Sequence, residues 1–558
     1  MSDSYIYYKT MAGNYRMPIG GRRGLMQDWP LTVDRIIDHA ARWDGRREVV
    51  ARSSDGRLVR TDYASVRARA RRLSGALAGL GIGPGERIAT LAWNTHRHFE
   101  AWFAIMGMGA ICHTLNPRLF PEQLRYIVQH ADDRVVFVDS CFQPLLASLL
   151  PSLPGVSHVI VLGEPGEWDR DLLPQAMDFE TLLTNECPQV AWGDFDEHLA
   201  CGLCYTSGTT GHPKGVLYSH RSTVIHTLMT LQPDVLGLSV ADVVMPIVPM
   251  YHANAWGIPL SAPAAGCKLV LPGARLDGAS LHELCEGEGV TFAAGVPTVW
   301  QALLQYLEES RKRLTTLKRV LVGGSACPES IIRRLRDHGV ESKQGWGMTE
   351  TSPIGSHSKL LPEIAAMTFD EQMPWRLKQG RPPFGIDLKI ADDAGHRLAH
   401  DGKTLGRLFV KGPTVASAYL GGTPGDILDA EGYFDTGDIA GIDEEGYMHI
   451  ADRAKDIIKS GGEWISSIEI ENLAHGHPKV ALCAVIAVPH PRWDERPLLV
   501  VQLCEGETAT SQDMLDALSG RIAKWWMPDG VVFVQEMPLG ATGKIDKKLL
   551  RARFPSIP

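Results

Sequence analysis

The chain has 558 residues, 44% apolar and 22% charged, which is an ordinary globular balance in a length too great for a single core. Its net charge of −9 implies no extended basic surface and excludes nucleic acid as an expected partner. No apolar run of about 18 residues occurs, so no integral membrane segment is expected, and the polar, aromatic residues 1–15 do not read as a secretory signal.

Residues 35–140 alternate helix and strand. In the first long helix Arg67, Arg69, Arg71 and Arg72 lie opposite Val66, Ala70, Leu73, Leu77 and Leu80, so the arginines are expected to form a solvated face. A strand over 88–93 follows the turn Gly83-Pro84-Gly85. A helix over 99–109, a loop at 116–121, a helix over 121–130 and a strand over 135–139 complete a βαβ rhythm. Cys201 and Cys204 fall in a strand-like run. No second pair or histidine pair gives them metal-ligand spacing, so two buried thiols are expected. Ten cysteines used in this way suit a reducing cytoplasm.

The run Thr206-Ser207-Gly208-Thr209-Thr210-Gly211-His212-Pro213-Lys214-Gly215 comes next. Its glycines let backbone N–H groups approach a polyanion, its hydroxyls donate to phosphate oxygens, and Lys214 adds a compact positive charge. The run reads as a phosphate cradle with ATP as its ligand. It is not a P-loop, because Lys214 precedes Gly215 rather than Ser or Thr. The flanking residues are strand-like on both sides. A helical pattern begins only near Ser222, with Val224, Leu228 and Leu231 on one face. The loop is therefore predicted to join two strands, with no helix N-terminus beneath the phosphates.

A second series of strands follows at 243–248, 268–271, 292–294 and 319–322, with helices between them. Arg311, Lys312, Arg313, Lys318 and Arg319 are expected at the surface, and residues 360–380 read as a surface excursion without chemistry. From Gly406 to about residue 451 short strands and glycine turns predominate. Beyond Asp452 a compact pattern resumes: a helix over 467–474, strands over 481–488 and 498–503, a helix over 511–523 and a strand over 531–535. The predicted fold class is α/β. A large N-terminal domain (1–452) holds two α/β sheet subdomains and a small β-rich subdomain. A hinge (453–456) joins it to a small C-terminal α+β domain (457–558).

Three further motifs have chemical content of their own. In Gly345-Trp346-Gly347-Met348-Thr349-Glu350, Glu350 is a hard anionic ligand suited to Mg²⁺, Thr349 can bond a phosphate, and Trp346 offers a flat face to adenine. In Tyr433-Phe434-Asp435-Thr436-Gly437-Asp438, a carboxylate at a turn can accept both ribose hydroxyls. In Pro538-Leu539-Gly540-Ala541-Thr542-Gly543-Lys544, a lysine after a tight turn can reach into a site from a mobile domain.

Together these segments resemble the acyl- and aryl-CoA synthetases, a family that also holds luciferases and peptide-synthetase adenylation domains. The resemblance extends from about residue 30 to residue 550. The stretches 203–222, 248–256 and 459–467 are most similar to medium-chain fatty-acid–CoA ligases and methylthioalkanoate–CoA ligases. The resemblance implies that Thr206 and Glu350 hold Mg²⁺ and that residues 345–349 border adenine. It implies that Gly323, Gly324, Ser325 and Ala326 lie between adenine and the acyl chain, that Asp438 takes the ribose, and that Arg453 contacts ribose or phosphate. Lys455 sits at the pivot, and Ser460, Gly461, Gly462, Glu463 and Trp464 meet coenzyme A. Lys544 and Lys214 carry catalysis, while His252, Trp256, Val296, Pro297 and Trp300 line the acyl pocket.

The implied reaction has two steps. A carboxylic acid attacks the α-phosphorus of ATP and expels pyrophosphate; coenzyme A then takes the acyl group from AMP. The attacking carboxylate is already ionised, so no general base is needed, and no Ser-His-Asp or Cys-His set is evident. Aryl acids remain compatible with this reading. So do an adenylating enzyme that loads a carrier protein and a nucleotide sensor without chemistry, although Lys544 and Glu350 argue against the sensor. A homodimer would also be compatible.

Overall fold

The computed structural model describes residues 5–10, 13–18, 25–164, 166–184, 188–206, 212–461, 463–540 and 545–557. Two large sheets carry the N-terminal part. The first, seven-stranded among the described residues, orders its strands Gly215–Ser219, Ala200–Tyr205, Ile111–Thr114, Arg87–Leu91, Val135–Val138, His158–Val161 and Met177–Asp178. The second, eight-stranded among them, runs Ile354–His357, Glu341–Gly347, Arg319–Gly323, Phe292–Gly295, Val243–Pro246, Lys268–Leu271, Glu48–Arg52 and Leu58–Asp62. Most pairs in both sheets are parallel, and the buried strands are near-continuous apolar runs, as in Val135–Val138. A four-stranded antiparallel sheet, Asp387–Ala391, Gly406–Lys411, Phe434–Ile442 and Met448–Arg453, forms the β-rich region. The last sheet pairs Val480–His490 with Asp494–Leu503, which also pairs with Ile458–Ser460 and Gly530–Phe533. The chain is thus mixed α/β with a small C-terminal sheet, as the alternating pattern predicts.

The helix Tyr63–Gly79 buries Val66, Ala70, Leu73 and Leu77 as expected. Its arginines are not simply solvated. Arg69 bonds the buried Glu100 at 2.8 Å and Glu180 at 2.9 Å, and burial raises the Glu100 carboxyl to about 7. Residues 360–380 are also more than an excursion. The helix Phe369–Arg376 buries Met373, and the carbonyl of Arg376 accepts from Gln344 Nε2 at 2.7 Å, so the segment packs beneath the strand Glu341–Gly347. The helix predicted over 511–523 stops at Leu518, where Ser519 turns extended and Gly520 takes φ 75°. Cys201 and Cys204 are buried free thiols, and burial pushes the Cys201 thiol up to about 12.

Candidate active site

Antiparallel pairing sets Tyr205 opposite Gly215, so the phosphate loop is a strand-to-strand turn. The helix after it, His220–Thr230, is capped by Ser219 and lies beyond the second strand. Ser207, Gly208, Thr209, Thr210 and Gly211 lie outside the described residues. At the loop's base Thr206 N donates to the Lys214 carbonyl at 2.9 Å, and Lys214 N to Thr206 Oγ1 at 3.4 Å. The Lys214 ammonium stands 4.7 Å from the ring centroid of Tyr419. The Tyr419 hydroxyl donates to Glu350 Oε1 at 2.8 Å. Burial, with the Glu350 charge beside it, holds that hydroxyl far above its ordinary range, so it remains a donor. Glu350 is 5% exposed. A second tie joins the same segments: Tyr218 Oη donates to the Thr349 carbonyl at 2.8 Å across 131 residues of chain.

Register brings the glycine motifs together. In the parallel pair of the second sheet Gly323 lies opposite Gly345. A Cβ on Gly323 would stand 3.0 Å from both the Gly345 carbonyl oxygen and the Trp256 ring, so only glycine lets that indole lie on the backbone. Gly324, at φ 84°, and Ser325 and Ala326 follow directly. Trp346 is held from two sides. Its ring covers Gly355, where a Cβ would come within 2.2 Å, and its Nε1 donates to Asp438 Oδ2 at 2.9 Å. The other Asp438 oxygen pairs with Arg453 Nε at 2.9 Å, because Asp438 and Arg453 are cross-strand partners. Gly347 and Met348 lead from Trp346 into the turn Thr349–Thr351 that carries Glu350. The contacts thus form two groups, Lys214–Tyr419–Glu350 with Tyr218 on Thr349, and Trp346–Asp438–Arg453, which the chain joins through Gly347 and Met348 at the C-terminal end of the strand Glu341–Gly347, the kind of strand end where open α/β sheets bind ligands.

The acyl candidates divide. Ala253, Asn254, Ala255, Trp256 and Gly257 all have positive φ, from 42° to 74°. Each non-glycine residue there costs about 1–2 kcal/mol of backbone strain. Packing offsets it: Ala255 is fully buried and Trp256 lies on Gly323. His252 precedes this turn half-buried, and Val296 and Pro297 open the helix Pro297–Ser310. Trp300 is fully buried, donates Nε1 to the Gly295 carbonyl at 3.0 Å, and packs in the second sheet's core rather than facing the cleft. Its spacing, one helical turn on from Val296, points it inward. Beneath Asn254, a cavity of about 10 Å³ is lined by Trp102, Met106, Cys112 and Leu260.

In the C-terminal region Lys455 is exposed, just after the strand Met448–Arg453. Ser460 accepts from Arg496 Nη1 at 3.2 Å, Gly461 N donates to the Trp493 carbonyl, and Trp464 packs with Ile439, Ala451 and Ile457. Glu463 opens the strand Glu463–Ile465, and the helix Ser467–His475 is capped by Ser466, whose side chain accepts from Glu469 N. Gly462 and Lys544 lie outside the described residues. The sequence motifs miss Tyr419 and Tyr218. Neither falls within the motifs read from sequence, and only the fold brings them to Glu350 and Thr349.

As donors to a metal, Glu350 and Thr206 supply hard oxygens. Among the described residues no group of three or more His, Cys, Asp or Glu side chains could hold an ion. A single carboxylate and a hydroxyl fit Mg²⁺ that takes its other ligands from phosphate and water.

Comparison with known proteins identifies the family. Residues 37–420 match the model of the AMP-binding enzymes, and residues 469–544 that of the AMP-binding enzyme C-terminal domain. The 3-methylmercaptopropionyl-CoA ligase of Ruegeria lacuscaerulensis is 49% identical over 532 residues, 95% of this chain and 98% of that protein. The medium-chain-fatty-acid–CoA ligase of Ectopseudomonas oleovorans is 46% identical over 535 residues, 96% of this chain and 98% of that one. The crystal structure of the anthranilate CoA ligase AuaEII with anthranoyl-AMP shares the fold at a TM-score of 0.83 and 24% identity, covering 95% of this chain and 99% of that one. The chain belongs to the AMP-binding enzyme family.

Proposed function

We propose that the chain is an ATP-dependent acyl-CoA synthetase: an acid–thiol ligase that forms acyl-AMP and pyrophosphate from a carboxylic acid and ATP, then acyl-CoA and AMP. The observation that carries this reading is the Lys214–Tyr419–Glu350 arrangement, in which one tyrosine carries the cation of a phosphate-type loop at its ring and a buried carboxylate on its hydroxyl.

Adenylation brings two anions together, so neutralising charge in the transition state is its main demand. Lys214 supplies a cation at the phosphates, and Lys544 supplies a second from the C-terminal domain. Glu350 and Thr206 would hold Mg²⁺, which neutralises phosphate charge when bound. Asp438 accepts the ribose hydroxyls while Arg453 orients that carboxylate, and residues 345–349 with Gly324, Ser325 and Ala326 border the base. The thiol must later arrive where Lys544 stood. A pivot at Lys455 that presents Ser460, Gly461, Gly462, Glu463 and Trp464 to coenzyme A meets that need.

The acid enters beside His252, Trp256, Val296, Pro297 and Gly323. A medium-chain fatty acid is the first reading, supported by the 46% identical relative of that name. A methylthioalkanoate is the second. The 49% identical 3-methylmercaptopropionyl-CoA ligase supports it.

Acid-dependent ATP–pyrophosphate exchange tests the assignment. The wild-type chain is expected to show exchange. Lys544→Ala should slow it about 10²–10³-fold while still forming thioester from supplied acyl-AMP. Equal loss of both half-reactions would contradict the division of labour.

A further inference from the structure

The helix Pro121–Ala131 buries Leu124, Ile127, Val128 and Ala131 against the first sheet and turns Tyr126 and His130, one helical turn apart, toward the phosphate loop. Each contacts a different arm of that loop. The Tyr126 ring lies parallel to His212, with centroids 4.4 Å apart and planes at 22°. His130 also stacks on Tyr126, at 5.3 Å and 21°, and its Nδ1 is 2.7 Å from the hydroxyl of Tyr205, the residue that leads into the loop. The inner side of the Tyr205 ring rests on His113 at 5.1 Å, and His113 is fixed by a 2.7 Å bond between its Nδ1 and Asp133 Oδ2, both side chains fully buried. The entering and leaving arms of a glycine-rich turn are thus gripped from a single helix that is anchored in the core.

We propose that Tyr126 and His130 are positioning residues for the ATP phosphates: they clamp the two arms of the phosphate loop at Tyr205 and His212, so that the loop's ends are already fixed when ATP binds. The proposal rests on the reading of residues 206–215 as an ATP loop. The motif chemistry does not require it. His212 fills the position between Gly211 and Pro213 with an aromatic ring, and Tyr126 lies in a different βαβ unit.

Equilibrium binding of Mg-ATP to the full chain tests the clamp without requiring the acid to be known. Tyr126→Leu and His212→Leu are each expected to weaken ATP binding about three- to tenfold, the range of an aromatic pair. His130→Leu should do the same. Tyr126→Phe and His212→Phe keep the stack and should bind within about twofold of wild type. The Tyr126→Leu, His212→Leu double variant should bind no more than about twofold worse than either single one, with unchanged melting temperature in the single His212→Leu chain. Thioester formation from supplied acyl-AMP should stay within about twofold in all of them. Wild-type ATP affinity in both leucine variants, or losses that multiply in the double variant, would overturn the clamp. A wild-type chain that binds ATP but activates no acid would overturn the ligase reading and leave the clamp comparison intact.

Discussion

Removing one oxygen from Tyr419 isolates what holds Glu350 in place. A hydrogen bond to a charged group contributes about 1.5–3 kcal/mol, and this one orients the Glu350 carboxylate, 5% exposed, from the tyrosine whose ring meets Lys214. Tyr419→Phe keeps the ring under the ammonium and deletes only the bond to the carboxylate. The expected outcome is about a tenfold slower adenylation step, with thioester formation from supplied acyl-AMP within about twofold of wild type, measured as separate half-reactions. Equal rates in the first step would remove Tyr419 from the site. At this scale the candidate residues are what the sequence offers: Lys214, Glu350, Trp346 and Asp438 stand out because glycines and charges cluster around them, and the structure pairs Trp346 with Asp438 and sets Lys214 and Glu350 on one tyrosine, Tyr419. Tyr419 is not legible as a partner of Glu350, since only the fold brings it there. Trp300 shows the converse: an aromatic residue near the expected pocket whose helical position turns it into the core.

Among the elements, the strand-turn-strand at the phosphate loop follows from residue types that are strand-like on both sides of a glycine-hydroxyl run. The turn after His252 does not follow from the sequence. Nothing in Ala-Asn-Ala-Trp announces consecutive left-handed residues, because the strain is offset by tertiary packing of Ala255 and of Trp256 on Gly323. The segment 360–380 hid for a similar reason, since its packing rests on a few contacts such as Met373 and the Arg376 carbonyl. Lys455, read from sequence as a pivot, is exposed in a connection otherwise half-buried or buried, between the sheet that carries Asp438 and Arg453 and the one that carries Ser460. Lys455→Pro fixes one backbone angle and deletes one donor. It should slow thioester formation at least about tenfold while adenylation changes less than about threefold. Unchanged kinetics in both half-reactions would remove Lys455 as the hinge.

Over the whole molecule, the division of labour follows from charge and access. The described N-terminal sheets carry Lys214, Glu350, Asp438 and the glycine-lined backbone at Gly323 and Gly345. The C-terminal sheet carries the glycine turn at Ser460, and residues 469–544 match the family's C-terminal domain. No helix among the described residues is long and apolar enough to cross a membrane. The general architecture is legible in the sequence because parallel strands buried on both faces leave continuous apolar runs. The pairing order of those strands is not, because it depends on contacts between segments hundreds of residues apart. The central claim is that ATP is split to join an acid to AMP before the thiol arrives. Its most direct test is to incubate the purified chain with ATP, Mg²⁺, coenzyme A and a series of acids from short to long chain, including aromatic and sulfur-containing members, and to quantify AMP, pyrophosphate and thioester. The account predicts equal amounts of all three, greatest with a medium-chain or methylthio-substituted acid; failure of every acid to convert ATP to AMP and pyrophosphate would contradict it.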